Sequence, residues 1–132
     1  MKTKTIKQTV WFKASPHAVY EALMDAKKHA RFSGCPAKVS RKVGGSFSVY
    51  EGSLRGTNVA LIKDRLIVQS WRCVMSGWPK DHNSTVVFDL QRSRKGTKLV
   101  FTHVGVPKRS YADISSGWNL YYWTPMKKLL EA

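Results

Sequence analysis

A long apolar stripe at helical spacing occupies residues 110–130 and limits what the chain can fold into. Its members recur at steps of four, four, four and three residues, and they are Ile114, Trp118, Tyr122, Met126 and Leu129. This spacing places them on one face of a helix of roughly 20 residues and roughly 30 Å. A face of that length must be buried, so the rest of the chain has to supply a surface that covers it.

The two ends of this segment carry helix signals. Ser110 and Asp113 have the spacing of a capping box, which predicts that the helix begins there. Tyr121 and Trp123 widen the apolar arc. Pro125 lacks an N–H group and its ring crowds the carbonyl of Tyr121, so we expect a kink or a fresh helix start at this point. The aromatic stripe can be packed core or the wall of a cavity.

Residues 37–104 alternate with a period close to two, and turn residues interrupt the alternation at intervals. A separate strand precedes them at the start of the chain. The predicted strands are residues 4–13, 39–42, 46–50, 54–62, 65–73, 84–92 and 97–104. Gly44 and Gly45 form the turn of a hairpin, and Gly56 inside a strand predicts a bulge or a bend.

Two short helices are predicted between the first and second strands. Ser15 and Pro16 give a cap and a first helical residue, Asp25 ends that helix and caps another, and Gly34 closes the second helix. Strands in a run with helices at the ends predict an α+β fold. We therefore expect an antiparallel curved sheet of about seven strands around one long C-terminal helix.

Length and composition set further limits. A chain of 132 residues predicts a single domain, residues 1–132. No apolar run approaches 18 residues, and lysines interrupt the first residues, so we expect a cytoplasmic protein without a membrane span or signal peptide. Cys35 and Cys73 are isolated in the sequence, which argues against a disulfide framework and against zinc.

The net charge of +15 is unusual for this length, since 23 lysines and arginines face only 8 acidic residues. Such a chain is attracted to polyanions. Nucleic acid is the less favoured partner, because no aromatic stacking motif or phosphate-binding loop accompanies the charge in the sequence. An acidic protein is the favoured macromolecular partner.

The strand register directs a set of side chains toward the helix. The inward residues are Phe47, Val49, Ile67, Trp71, Val86, Phe88, Leu90, Leu99, Phe101 and His103, and Trp118 and Tyr122 face them. Trp71, His103, Trp118 and Tyr122 each bring a polar atom to an apolar face, where a missing partner costs about 1 to 3 kcal/mol. The predicted ligand-binding residues are Phe47, Trp71, Phe88, Phe101, His103, Trp118 and Tyr122.

Other candidate residues have plainer interpretations. Trp78, followed by a proline in an irregular segment, is a candidate anchor for a partner, and folding back onto the sheet edge is the alternative. The histidines at positions 17, 29 and 82 are predicted at surfaces without metal-ligand spacing, so no metal is expected. No nucleophile and base pair stands out, and we expect no catalytic residues and no cofactor.

Several pieces of the sequence, taken in order and spacing, resemble one known family. The pieces are Ser15-Pro16, Val19-Tyr20, Ala22-Leu23, Phe32 to Gly34, Val43-Gly44-Gly45, Phe47, Tyr50-Glu51-Gly52, Gly56, Trp71-Arg72, Trp78-Pro79, Ser84-Thr85-Val86, Thr102-His103, Gly117-Trp118 and Tyr121-Tyr122. The chain resembles the C-terminal domain of activators of the heat-shock protein 90 ATPase. That family lies within the helix-grip superfamily of START and birch-pollen-allergen-like domains.

The resemblance implies a fold more than a reaction. Related domains are similar in having a cavity under the long helix that can hold an apolar ligand, and the activators are chaperone-related proteins of the stress response. From this we expect a non-enzymatic domain that binds a small hydrophobic or amphipathic molecule in the cavity. The alternative is a co-chaperone-like interaction module that acts through its basic surface, and some superfamily relatives are cyclases or hydrolases.

Overall fold

The computed structural model describes residues 1–75 and 77–131. The strands are β1 (Thr3–Phe12), β2 (Lys38–Val39), β3 (Ser46–Val49), β4 (Leu54–Ile62), β5 (Leu66–Cys73), β6 (Ser84–Ser93) and β7 (Gly96–Pro107). The helices are α1 (Pro16–Met24), α2 (Ala26–Ser33), α3 (Tyr111–Trp118) and α4 (Thr124–Leu130), with a π-helical turn (Asn119–Trp123) between the last two. None of these helices is long and apolar enough to cross a membrane.

The seven strands form one antiparallel sheet in the order β1-β7-β6-β5-β4-β3-β2. Strands β2 to β7 follow one another as a meander, and β1 pairs with β7, where Phe12 lies opposite Thr97. The sheet curves around the C-terminal helix, and every residue predicted to point inward is buried. The predicted helix-grip fold, with two short helices after the first strand, is confirmed.

Gly56 permits the close approach of β4 and β5. Of the two predicted alternatives, a bulge or a bend, the bulge is not found at Gly56. The pairing runs without interruption through Gly56 opposite Trp71, and the register of β4 shifts between Asn58 and Ala60. A Cβ at Gly56 would lie 1.8 Å from the carbonyl oxygen of Ser70. Glycine is required here because a neighbouring backbone occupies the space of a side chain.

The two short helices begin and end at the predicted residues. The Ser15 hydroxyl accepts a hydrogen bond from the Ala18 N–H at 3.1 Å, and the Asp25 carboxylate accepts from the Lys28 N–H at 3.0 Å. Gly34 ends α2 in the left-handed conformation at φ 76°. Side-chain capping therefore fixes where α1 and α2 begin, as the sequence indicates.

The capping box predicted at the start of the long helix does not form. A short 3-10 helix, Lys108–Ser110, leads into α3, and the Ser110 side chain makes no capping hydrogen bond. Ser110 already has helical backbone angles, φ −98° and ψ −4°, whereas a residue whose side chain caps a helix normally lies in the extended region.

Pro125 is accommodated by a change of helical pitch: α4 begins at Thr124, directly after the π-helical turn, and Pro125 lies in its first turn. Of the two predicted alternatives, this corresponds to the fresh helix start. The Thr124 N–H donates to the Asn119 carbonyl, five residues earlier, and the backbone stays in the right-handed helical region through this turn. Proline leaves the carbonyl of Tyr121 without its usual donor. The hydroxyl of Tyr50 donates to that carbonyl instead.

The π-helical turn decides which aromatic side chains face the sheet. Trp118 and Trp123 both lie inside, where their rings stack at 5.6 Å between centroids with 19° between planes. Tyr121 was expected to widen the apolar arc, but it is 58% exposed. One extra residue in the turn rotates Trp123 inward and leaves Tyr121 in solvent.

Gln8 ties the edge strand to the helix from the inner face of β1. Its amide nitrogen donates to the carbonyl of Ser115 at 3.0 Å, and its oxygen accepts from the indole N–H of Trp123 at 2.7 Å. A polar residue at this inward position is therefore satisfied by the helix that covers it.

Candidate functional site

The seven residues predicted to bind a ligand are all buried beneath the C-terminal helix. Five of them line a small cavity: Phe47, Trp71, Phe88, Trp118 and Tyr122. The remaining two lie behind its wall, where the Phe101 ring is 4.5 Å from Trp118 and the His103 ring is 4.7 Å from Trp71. The predicted set is thus brought together around one space, and its role in binding stays a prediction.

The small cavity has a volume of about 20 Å³. A single water molecule needs a cavity of about 10 to 15 Å³, whereas pockets for small-molecule ligands span about 300 to 1,000 Å³. In this conformation the interior has room for one water, and side chains would have to move to admit a larger molecule.

A second space, the Tyr121 groove, opens to solvent on the other side of the same aromatic wall. It has a volume of about 100 Å³ and is almost entirely apolar. Its lining residues are Leu54, Trp71, Cys73, Met75, Asp113, Ile114, Gly117, Trp118, Tyr121 and Tyr122. The interior cavity and the Tyr121 groove share three side chains, those of Trp71, Trp118 and Tyr122.

His103 is fully buried and both of its ring nitrogens are engaged. The indole N–H of Trp118 donates to Nδ1 at 3.1 Å, and the Ser84 hydroxyl lies 2.8 Å from Nε2. An indole N–H can only donate, so the imidazole proton is on Nε2 and is donated to Ser84. Ser84 in turn donates to the carbonyl of Trp71 at 2.8 Å.

The electrostatic consequence is a neutral imidazole at His103. Burial lowers the pKa of His103 to about 3, because the charged ring would lose its hydration. A ligand oriented by this residue would have to displace Trp118 or Ser84 from the ring.

His29 belongs to the cavity wall, and the prediction that it lies at a helix surface is wrong. It is 2% exposed, and its Nε2 lies 3.1 Å from the Tyr122 hydroxyl. Nδ1 is buried without a hydrogen-bond partner among the described residues. Burial lowers the pKa of His29 to about 4 and raises the pKa of the Tyr122 phenol.

The signal for His29 was present in the sequence. Asp25 caps α2, and His29 and Phe32 are three residues apart on the same helix face, with ring centroids 4.5 Å apart. Since Phe32 had to face the core, its neighbour on that face had to be buried with it.

Trp78 lies between β5 and β6, half-buried. Its ring is 5.5 Å from that of Trp71 in an edge arrangement, and its N–H donates to the His82 carbonyl at 2.8 Å. Trp78 thus packs against the core of the protein, which is the position expected if its segment folds back onto the sheet edge. Contact of Trp78 with a partner stays a prediction.

Metal-ligating side chains do not converge in the part of the chain that the structure describes, where no three His, Cys, Asp or Glu residues group together. His17 instead pairs with Asp64 at 2.9 Å, and His82 bonds the carbonyl of Gly105 at 2.7 Å.

Comparison with solved structures shows the same fold in chains of similar extent. A crystal structure of an HSP90 activator from Plasmodium falciparum has a TM-score of 0.86 and 28% identity, and the match covers 98% of this chain and 97% of that one. A solution structure of the Aha1 dimer from Colwellia psychrerythraea has a TM-score of 0.82 and 19% identity, with coverage of 98% and 97%. The second likeness concerns the fold alone.

Comparison with curated proteins gives longer relatives. The mouse activator of 90 kDa heat shock protein ATPase homolog 2 is 27% identical over 98% of this chain and 38% of its own length. The Dictyostelium discoideum activator of 90 kDa heat shock protein ATPase homolog is 30% identical over 88% of this chain and 30% of its own. The chain thus spans about a third of the curated relatives that it matches.

The model of the family described as activator of Hsp90 ATPase homolog 1-like protein matches residues 13–131. This range includes the helix cap at Ser15, the close strand approach at Gly56 and the aromatic wall under the C-terminal helix. The chain belongs to the family of activator of Hsp90 ATPase homolog 1-like proteins.

Proposed function

We propose that residues 1–132 form one helix-grip domain that acts in the cytoplasm as a co-chaperone-like interaction module, with an acidic chaperone of the HSP90 class as its partner. The proposal assigns no chemical step to the chain. The observation that carries it is family membership together with a Plasmodium falciparum HSP90 activator of the same fold and nearly the same extent.

The charge of the chain supports an acidic partner. Among the described residues, Arg41 pairs with Glu21 and Arg65 with Asp89, and His17 contacts Asp64. Most of the 23 lysines and arginines therefore lack a carboxylate partner within the part of the chain described. Exposed charge of one sign raises the rate at which an oppositely charged protein associates.

The Tyr121 groove offers a place for the apolar part of such a contact. Met75 and Tyr121 are 60% and 58% exposed at its rim, although both are apolar or aromatic. Arg72 and Lys80 line the adjoining surface together with Met75. An acidic segment that carries one apolar side chain is complementary to this groove, because its anchor would fill apolar space beside two cations.

Titration with a purified HSP90-type chaperone, by calorimetry and by stimulation of its ATPase, tests the proposal. Met75→Asp should weaken binding at least tenfold, since it adds a negative charge and removes an apolar contact where an acidic partner docks. Val59→Asp, at a 53% exposed position outside the groove, is the matched control and should change little. Equal effects of the two substitutions, or no binding by the parent chain, would contradict the proposal.

A second candidate function is the holding of a small hydrophobic molecule between helix and sheet. The observation that favours it is the shared wall of Trp71, Trp118 and Tyr122, because a rotation of these rings would join the interior cavity to the Tyr121 groove. Hydrophobic burial would then supply the affinity, with His103 at the polar end of the ligand.

The two candidate functions differ in an easily measured property. Binding inside an apolar cavity is nearly indifferent to salt, whereas association through surface charge weakens as ionic strength rises. Native mass spectrometry of the chain purified from its own host would detect a retained ligand. A stoichiometric apolar molecule that is lost in Trp118→Ala would favour ligand binding in the cavity. A ligand-free mass would favour the function of binding a protein partner.

A further inference from the structure

A cationic cleft with an exposed tryptophan lies at the opposite end of the C-terminal helix from the Tyr121 groove. This Trp11 cleft has a volume of about 430 Å³, within the range of small-ligand sites. It lies between the end of β1, the β6–β7 turn and the end of α4. Its lining residues are Trp11, Phe12, Lys13, Ser93, Arg94, Lys95, Lys127 and Glu131.

The three elements that form the Trp11 cleft are fixed against one another. A Cβ at Gly96 would lie 2.3 Å from the carbonyl oxygen of Phe12, so the β6–β7 turn packs directly on the end of β1. The Thr97 hydroxyl donates to the Ala14 carbonyl at 2.8 Å. The helix end is held by Glu131, whose carboxylate accepts from the backbone N–H of Lys13 at 2.8 Å. The cleft is therefore formed before any ligand arrives.

Among the described residues, the charge of the Trp11 cleft is not balanced locally. Four cations face one carboxylate, that of Glu131, and the carboxylate is already bonded to a backbone N–H. None of Lys13, Arg94, Lys95 or Lys127 takes part in the ion pairs found among the described residues. Like charges held together in this way attract anions, because an anion relieves their mutual repulsion.

Trp11 supplies a flat apolar face within this charge. Its side chain is 57% exposed on the outer face of the edge strand, although tryptophan is normally buried. The ammonium group of Lys98, on the paired residue of β7, lies 5.4 Å from the centre of the ring. Trp11 and Lys13 are near neighbours in the sequence, and the fold adds Arg94, Lys95 and Lys127 from more than 80 positions away.

We propose that the Trp11 cleft binds single-stranded nucleic acid, with a base stacked on Trp11 and the adjoining phosphates held by Lys13, Arg94, Lys95 and Lys127. An exposed aromatic ring in a cationic groove is the arrangement that sequence-tolerant single-strand binding requires. The carboxylates of an acidic peptide would satisfy the cations but make no use of the flat ring. A free nucleotide carries the same base and phosphate chemistry and is the other source of this ligand.

Fluorescence anisotropy with a labelled oligothymidylate of about twelve nucleotides, measured over a range of salt concentrations, tests the site. Four phosphate contacts predict a slope of log affinity against log salt of about −3, at about 0.7 per contact for single strands. Trp11→Ala should weaken binding about tenfold or more and leave the salt slope unchanged, since a stacking contact carries no charge.

Matched charge reversals distinguish binding at the Trp11 cleft from general attraction to the net charge of the chain. Arg94→Glu with Lys95→Glu should weaken binding strongly and reduce the salt slope by about half, in proportion to the contacts removed. Lys27→Glu with Lys28→Glu makes the same change of charge on exposed residues of α2 and should retain most of the affinity. The exposed positions of all four residues allow the variants to fold, which circular dichroism verifies.

Competition identifies the source of the ligand and can overturn the assignment. If thymidine monophosphate displaces the oligonucleotide from the parent chain but not from Trp11→Ala, the site is correct and its ligand is a free nucleotide. The proposal would be refuted if polyglutamate displaced the labelled probe as effectively as the unlabelled oligonucleotide does and Trp11→Ala had no effect. That result would assign the cleft to an acidic protein. Equal losses in the two charge-reversed variants would also refute it.

Discussion

Two buried neutral histidines should make the fold unstable in mild acid. His29 and His103 are 2% and 0% exposed, and burial lowers their pKa from 6.5 to about 4 and about 3. In the unfolded chain both rings bind protons below pH 6.5, whereas in the folded chain they stay neutral. Their contribution to stability is therefore complete above pH 6.5 and declines as pH falls toward 4 and 3.

The magnitude follows from the pKa values. At pH 5, about 1.5 pH units below the unfolded pKa, each histidine costs about 2 kcal/mol of the free energy of unfolding, at about 1.4 kcal/mol per unit. Together they remove about 4 kcal/mol, a large part of the 5 to 15 kcal/mol that holds a typical domain folded. In urea this corresponds to a fall in the unfolding midpoint of roughly 2 M between pH 7 and pH 5.

Urea titrations followed by tryptophan fluorescence at pH 7, 6 and 5 measure this effect. His29→Gln and His103→Gln each remove one titrating ring, so each should halve the decrease, whatever its effect at pH 7. Repetition in 0.5 M salt is the control for repulsion among surface charges, because salt screens exposed charges and leaves buried desolvation in place. Midpoints that agree at pH 7 and pH 5, or variants with the parent's pH dependence, would refute the reasoning.

Three substitutions test other contacts, each by chemical denaturation. Gly56→Ala should cost more than about 3 kcal/mol, because its Cβ would collide with the Ser70 carbonyl at 1.8 Å; a loss below 1 kcal/mol would show that the strands can separate cheaply. Tyr50→Phe should cost about 1 kcal/mol through loss of the donor to the Tyr121 carbonyl, with no change expected if water replaces it. Gln8→Leu should cost about 2 kcal/mol because it removes a part-buried amide and leaves the Trp123 N–H and the Ser115 carbonyl without their hydrogen bonds to it; a neutral result would mean that apolar packing compensates.

Much of the fold could be predicted because local patterns agree with tertiary structure. Alternation in the strands fixes which side chains face the core, and all of the inward residues named from the sequence are buried. The side-chain caps at Ser15 and Asp25 bond backbone N–H groups only three residues away, so they can be predicted from the sequence.

The parts that could not be predicted depend on contacts between distant residues. The π-helical turn before Pro125 is stabilised by the hydroxyl of Tyr50, which lies 71 residues from the carbonyl it bonds. The amphipathic pattern of an ordinary helix gives no sign of it.

Within the site, residue types were easier to predict than free volume. The aromatic residues named in advance do surround one space, but their rings fill it down to about 20 Å³. The difference between a packed core and a ligand cavity lies in rotamers and in a single turn of helix, and neither follows from the order of residues alone.

The pairing of β1 with β7 has a consequence for how the chain assembles. Each strand from β2 to β6 pairs with the next strand along the chain, whereas β1 pairs only with the last strand, β7, where Thr3 lies opposite Pro107. During synthesis β1 therefore remains unpaired until nearly the whole sheet exists, and closure of so long a loop is slow. The lysines spaced along this strand keep it from pairing with another chain in the interval, so the basic character of the protein also protects its folding.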